Sequence, residues 1–249
     1  MSPQVTPLCC GSIAMAADVL VAGESGRIEV PSTVYLIEAD ETILVDTGFG
    51  DPDQATDAHP GFECHRPDDR RLRRVLDAEG YSPEDVDTVV FTHLDWDHCF
   101  GLDAFDEGTR LLVQARELSY ATDPYPPHAV RYEADSGSRT PPWRDRDLTL
   151  IEGKLEVCPG VVAFPTPGHT VGHQSLAVET DTGTTVVAAD AVPTFENVDR
   201  EAGVPRRLGG SMDQLAWWES ATEVLDRGDA ILPGHDWEIL DAKPVGLVE

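Results

Sequence analysis

Lysine is nearly missing from this 249-residue chain, which holds only Lys154 and Lys243. With arginine they make 18 basic residues against 46 acidic ones, a net charge of −28. That balance excludes nucleic acid and anionic membrane surfaces as partners, because both demand positive charge at the contact. It also loads the folded state with self-repulsion that counter-ions must screen, so the composition predicts a salt-adapted, halophilic protein. Cysteine is scarce and irregularly spaced. Cys9, Cys10, Cys64, Cys99 and Cys158 are odd in number and form no CxxC pair, which argues against a zinc knuckle or a disulfide framework. No basic-then-apolar leader opens the sequence, and no apolar run reaches the length of a membrane span. A reduced cytoplasm is therefore the expected compartment. Repeats of solenoid period are absent, and the length suits one layered α/β domain over 1–249.

What is present is concentrated at the ends of apolar runs. Thr88-Val89-Val90-Phe91 leads into Thr92-His93-Leu94-Asp95-Trp96-Asp97-His98, which places His93, Asp95, Asp97 and His98 within one short loop. Imidazole suits zinc and iron, and carboxylate oxygen suits harder ions, so the mixture points to a first-row or zinc centre. Cys99, next in line, reads as a small buried thiol under the loop. Three later runs each close on one further ligand type. Val161–Phe164 precedes Pro167-Gly168-His169, Thr185–Ala189 precedes Asp190, and Ala230–Leu232 precedes Pro233-Gly234-His235. Upstream, Thr42–Val45 closes on Asp46-Thr47-Gly48. Glycine or proline beside each histidine breaks the strand and frees the side chain at a sheet edge, where sites of α/β proteins collect.

These motifs, in this order, resemble the metallo-β-lactamase-fold hydrolases, whose signature is His-x-His-x-Asp-His followed by a lone His, a lone Asp and a lone His. The segments Tyr35–Glu38, Pro167–Leu176 and Pro233–Asp236 are most similar to the acyl-homoserine-lactonase group. The resemblance runs from residue 32 to residue 237 and implies an αββα sandwich. It implies two divalent metal ions, zinc first, with iron or manganese as alternatives. His93, Asp95 and His169 would hold one ion, Asp97, His98 and His235 the other, with Asp190 bridging. The implied reaction is hydrolysis of a lactone or related ester by hydroxide generated at the metals, with Asp97 or Asp190 passing a proton to the departing alkoxide. A glyoxalase-II-like thioesterase is the rival within the fold, and a diiron redox protein is the rival of another class. Asp46 and His173 are expected behind the ligands, orienting them. A homodimer is left open.

Two positions depart from the pattern. Asp95 stands where the family has its second histidine; either it ligates, making the first site harder and more iron-like, or it turns away and tunes the loop. The lactonases place a tyrosine three residues beyond the bridging aspartate, and that position here is Pro193. Tyr120, Tyr125 and Tyr132 are the candidates to replace it.

Periodicity adds an outline. Strands are expected at Ala17–Ala22, Thr33–Glu38, Thr42–Asp46, Thr88–Thr92, Arg110–Gln114, Leu148–Ile151, Val161–Pro165, Ser175–Glu179, Thr184–Ala189 and Ala230–Leu232. Helices are expected at Asp68–Glu79, capped by Asp68, at Ala115–Tyr120, and from Ser211 to Arg227 with Leu215, Trp218, Val224 and Leu225 in a core and Trp217 packed. Residues 47–67 read as a loop in which His59 and His65 are surface or packing residues. The proline-rich stretch 121–147 is too long for a plain connection and reads as a lid whose aromatic face is Tyr120, Tyr125, Tyr132 and Trp143, with His128 among them.

Overall fold

A computed structural model describes residues 2–133 and 139–240 of the chain. Seven strands form the first sheet: β1 (Gln4–Ala16), β2 (Arg27–Glu38), β3 (Thr42–Val45), β4 (Glu63–His65), β5 (Thr88–Val90), β6 (Arg110–Gln114) and β7 (Thr149–Ile151), in the order β4-β1-β2-β3-β5-β6-β7. The second sheet holds β8 (Leu155–Cys158), β9 (Val161–Pro165), β10 (Gln174–Thr180) and β11 (Gly183–Ala189). A small ribbon, β12 (Val198–Asp199) with β13 (Val204–Pro205), precedes its edge strand β14 (Ala230–Pro233), and the sheet order is β14-β11-β10-β9-β8. The helices are α1 (Pro52–Ala58), α2 (Leu72–Ala78), α3 (Trp96–Cys99), α4 (Ala115–Thr122) and α5 (Gln214–Arg227).

Side-chain alternation assigns the layers. Tyr35, Ile37, Ile43, Val45, Val90 and Leu112 point inward and meet Val161, Ala163, Leu176, Val178 and Val187 of the second sheet. Their neighbours Val34, Leu36, Leu44, Val89 and Leu111 point outward and are covered with Leu72 and Leu76 of α2. On the far side Phe164, Ala177, Val186 and Ala188 are covered by Trp217, Ala221 and Val224 of α5. Strands buried on both faces lose the alternation of polarity but keep the alternation of partner. The result is helix, sheet, sheet, helix, the expected αββα sandwich.

Several element-level expectations change. The first strand is Gln4–Ala16, and the expected strand Ala17–Ala22 is instead a 3-10 turn at Ala17–Val19. Strand β1 bulges between Cys9 and Ser12 against β2. Gly11 takes φ 120 there, and a Cβ on it would lie 2.6 Å from the His65 carbonyl oxygen. The helix expected from Asp68 is split: a 3-10 turn covers Asp68–Arg70, α2 begins at Leu72, and the Asp68 carboxylate pairs with Arg71 instead of capping. The cap of α5 is Asp213, whose carboxylate accepts from the amides of Leu215 and Ala216, in place of Ser211. Trp217 is buried as expected, whereas Leu215 and Trp218 face solvent at 71% and 46% exposure. Residues 47–67 hold α1 and β4, not only loop.

Within 121–147, residues 134–138 lie outside the described residues. The rest carries a 3-10 turn at Pro126–Tyr132, and Tyr132 and Trp143 are buried in the core on the outer side of the first sheet, so neither joins the aromatic face expected over the substrate. Among the described residues no helix is long and apolar enough to cross a membrane.

Candidate metal centre

Parallel pairing brings the ligand-bearing strand ends together. Strand β5 runs parallel to β3 with Val45 opposite Val90, so Asp46 and the loop after Phe91 emerge side by side. Strand β11 runs parallel to β14 with Ala189 opposite Pro233, so Asp190 and His235 emerge together from the second sheet. His169 leaves β9 in the same sheet, and the two sheets deliver their residues to one shared rim. Two non-glycine residues at these strand ends take left-handed backbone, Asp46 at φ 61 and Ala189 at φ 45. Such conformations cost on the order of 1–3 kcal/mol and persist where surrounding structure imposes them.

The seven expected ligands converge in two sets. In the first, Asp95 Oδ2 lies 3.5 Å from His93 Nε2 and 3.3 Å from His169 Nε2. In the second, Asp97 Oδ2 lies 3.8 Å from both His98 Nε2 and His235 Nε2. Asp190 stands between them: its Oδ2 is 3.1 Å from His169 Nε2, and its Oδ1 is 3.2 Å from His235 Nε2. All but Asp97 are buried. His93 Nε2 and His98 Nε2 are buried without a hydrogen-bond partner, although both face carboxylate oxygens. Leaving such atoms unpaired is costly, and a cation accepting their lone pairs removes the cost. The donor set fits two divalent ions.

The electrostatics of the centre are set by burial and by its own charges. Burial would push both carboxyls up, yet Arg131 and the adjacent histidines hold Asp95 well below the usual carboxylate range, and His235, His169 and His98 do the same for Asp190. His98 is pushed up to about 10: burial opposes this, and the carboxylates of Asp97, Asp190 and Asp46 prevail. Burial pushes His169 down and His173 well down.

Behind the ligands, Asp46 accepts from the Thr92 amide at 2.8 Å, from Thr92 Oγ1 at 2.7 Å and from His98 Nδ1 at 2.8 Å. It therefore faces the outer nitrogen of His98, as expected. His235 Nδ1 donates to the Pro31 carbonyl at 2.9 Å, which fixes Nε2 as its inward atom. His173 lies behind His93, ring centroids 5.1 Å apart, with Nδ1 on Thr166 Oγ1 at 2.8 Å. Cys99 is buried, its thiol directed at the carbonyls of Leu94 and Asp95. His59 stacks on Trp96 at 4.1 Å and bonds Glu133 at 2.8 Å, a packing role.

Two residues escaped sequence reading. Glu117 on α4 is fully buried and accepts from the Leu94 amide at 3.1 Å, Thr170 Oγ1 at 2.9 Å and the Gly172 amide at 2.8 Å. It ties the loop of His93 to the loop of His169, and its only sequence signal is an acid in an otherwise amphipathic helix. Arg131 reaches in from the Pro126–Tyr132 turn. Its Nε donates to Asp95 Oδ1 at 3.1 Å, and its Nη2 reaches both Asp95 Oδ2 and His169 Nε2, the latter at 2.7 Å. The one sequence clue was Asp95 itself, an extra buried carboxylate that needs a counter-charge. None of the three tyrosine candidates lines the cleft: Tyr120 bonds His128 at 2.7 Å, Tyr132 is core and Tyr125 is exposed.

Over the ligands opens a cleft of about 290 Å³ walled by Met15, Val19, Leu20, Phe62 and Val130, with Asp95, Asp97, His169, Asp190 and His235 at its floor. An apolar pocket ending on convergent polar groups suits a small ligand with an apolar tail and a polar head.

Two stacked sheets flanked by helices, with paired His/Asp sets on the shared rim, define a metal-binding layered α/β protein. The chain belongs to the metallo-beta-lactamase superfamily, whose family profile matches residues 27–235. It is 34% identical over 185 residues to an N-acyl homoserine lactonase of Bacillus sp, covering 70% of this chain and 69% of that one. Its fold is similar to that of a B. thuringiensis AiiA variant with N-decanoyl-L-homoserine bound at the active site (TM-score 0.78, 26% identity, 96% of this chain and 95% of that one). It is also similar to an N-acyl homoserine lactone hydrolase with the product N-hexanoyl-L-homoserine bound at the catalytic metal center (TM-score 0.77, 26% identity, 96% and 95% coverage).

Proposed function

We propose that this protein is a metal-dependent hydrolase that opens the ring of N-acyl homoserine lactones or closely related esters, with zinc in both sites. The observation that carries it is the junction of an apolar cleft with the His93–Asp95–His169 and Asp97–His98–His235 sets. When bound, the two ions supply Lewis acidity and an activated water. Asp190 spans both sets and holds them at one separation. Asp97 is the most open of the three floor carboxylates, 15% exposed at its side chain against 7% for Asp95 and 4% for Asp190. That openness supports Asp97, ahead of Asp190, as the group that moves a proton to the departing alkoxide. The apolar wall takes the acyl chain, and of the stretch expected as a lid the described turn Pro126–Tyr132 covers the cleft, to which it brings Val130 and Arg131. Five free, buried cysteines fit a reducing compartment.

The test is turnover of zinc-loaded enzyme on a panel of acyl homoserine lactones of increasing chain length beside glutathione thioesters. Lactone opening that strengthens with chain length supports the reading, and indifference to length removes the acyl role of the cleft. Thioester turnover without lactone turnover transfers the protein to the glyoxalase-like branch. Asp190→Ala is expected to lose ~10²-fold or more in kcat/KM while keeping its far-UV circular dichroism. Full activity in that variant would sink the bridging role.

A further inference from the structure

The Arg131 guanidinium occupies two of the three ligand atoms of the first set. Its Nη2 reaches Asp95 Oδ2 and, at 2.7 Å, His169 Nε2, the same oxygen and the same nitrogen that lie within reach of His93 Nε2 for a shared cation. Its Nε closes the fork on Asp95 Oδ1 at 3.1 Å. Among the described residues no such guest sits in the second set, where the ion pairs of Asp97 are with His98 and His235. The two sets, alike in count, therefore differ in what a metal must displace.

A forked guanidinium on a carboxylate is a strong, directional pair, and arginine does not leave by losing its proton. It must swing out. The room to do so is on the cleft side, where the Arg131 side chain keeps 23% exposure and neighbouring Val130 is 54% exposed. The turn itself is held by Tyr132, which is fully buried, so the movement belongs to the side chain.

We propose that Arg131 is a built-in competitor for the first site. Metal loads Asp97–His98–His235 first, and enters His93–Asp95–His169 second and more weakly, by expelling the guanidinium from Asp95 and His169. The inference rests on the metal-centre reading and is independent of which ester is cleaved.

The experiment titrates metal-free protein with zinc in chelator-buffered solution and counts bound zinc per chain by plasma mass spectrometry. Wild type is expected to fill in two steps at least ~10-fold apart in affinity. In Arg131→Ala the weaker step tightens at least ~10-fold while the tighter step stays. Arg131→Lys, which keeps the charge without the fork, falls between. Asp97→Ala assigns the steps by losing the tighter one. Two equivalent steps in wild type would overturn the proposal, as would an unmoved or weakened second step in Arg131→Ala. Far-UV circular dichroism accompanies each variant, and Arg131→Gln, shorter and uncharged but still polar, replaces the alanine under the same criteria if the latter does not fold. Substrate plays no part, so a failure here leaves the lactonase reading untouched, and an inactive lactone panel leaves this result standing.

Discussion

Asp46 shows how much one side chain outside the ligand set does. It takes up left-handed backbone at φ 61, and its two oxygens hold the Thr92 amide, the Thr92 hydroxyl and His98 Nδ1. That contact fixes the His98 tautomer with Nε2 turned inward, and losing such a partner typically costs 10–100-fold in metal affinity or activity. Asp46→Ala is accordingly expected to release metal from the second set ~10–100-fold more readily, read as zinc retained against a chelator series; unchanged retention would show that Thr92 and His98 hold position unaided. At this scale the sequence was most legible for residues whose chemistry demands company. His93, Asp97, His98, His169, Asp190 and His235 each follow an apolar run, and the structure brings all six together with Asp95. Arg131 and Glu117 were invisible because arginine and glutamate are ordinary on surfaces. Only tertiary packing brings the buried Glu117 and the half-buried Arg131 against the ligand loops.

Elements deliver these residues through tight approaches more than through their own propensities. Gly168, just before His169, takes φ 134, and a Cβ there would lie 2.2 Å from the Trp217 amide nitrogen at the start of α5. Its carbonyl accepts from the amides of Met212 and Asp213, so the His169 loop and the helix cap are one unit. Gly168→Ala combines backbone strain with overpacking, expected to cost at least ~2 kcal/mol and several degrees of melting temperature. Gly153→Ala, at φ 77 with nothing within 4 Å of its Cβ, supplies the control with strain alone. Equal losses in the two variants would deny that the α5 contact matters. Strand ends and the sandwich were legible because apolar alternation reports burial. Strand β1 was not, because Pro7 and Gly11 interrupt its apolar pattern. Proline is accepted there because β4 pairs only with Ser12–Ala14, leaving the Pro7 stretch paired on one side, and Gly11 sits in the bulge. Caps failed for a similar reason, since Ser211, Asp213 and Asp68 offer similar chemistry and only backbone geometry chooses among them.

For the molecule as a whole, the net charge of −28 dominates every local balance. Exposed pairs such as Arg27–Glu63, Arg73–Glu84 and Arg200–Glu238 each neutralise one carboxylate, but exposed pairs contribute about 0–1 kcal/mol and cannot answer the excess. Unpaired surface carboxylates repel through solvent, and that repulsion is cut as the screening length falls from about 10 Å at 0.1 M salt to about 3 Å at 1 M. The sign is therefore fixed: added KCl stabilises. The melting temperature of the metal-loaded protein is expected to rise by ~5 °C or more between 0.02 M and 1 M KCl, with most of the rise at the low end. Its shape separates screening from a general exclusion of salt from the protein surface, since exclusion keeps growing with concentration whereas screening saturates. A melting temperature that is flat or falling with KCl would mean that the acidic surface is tolerated without counter-ions, and the salt-adapted reading would fall while the metal centre, buried and weakly screened, stood as described.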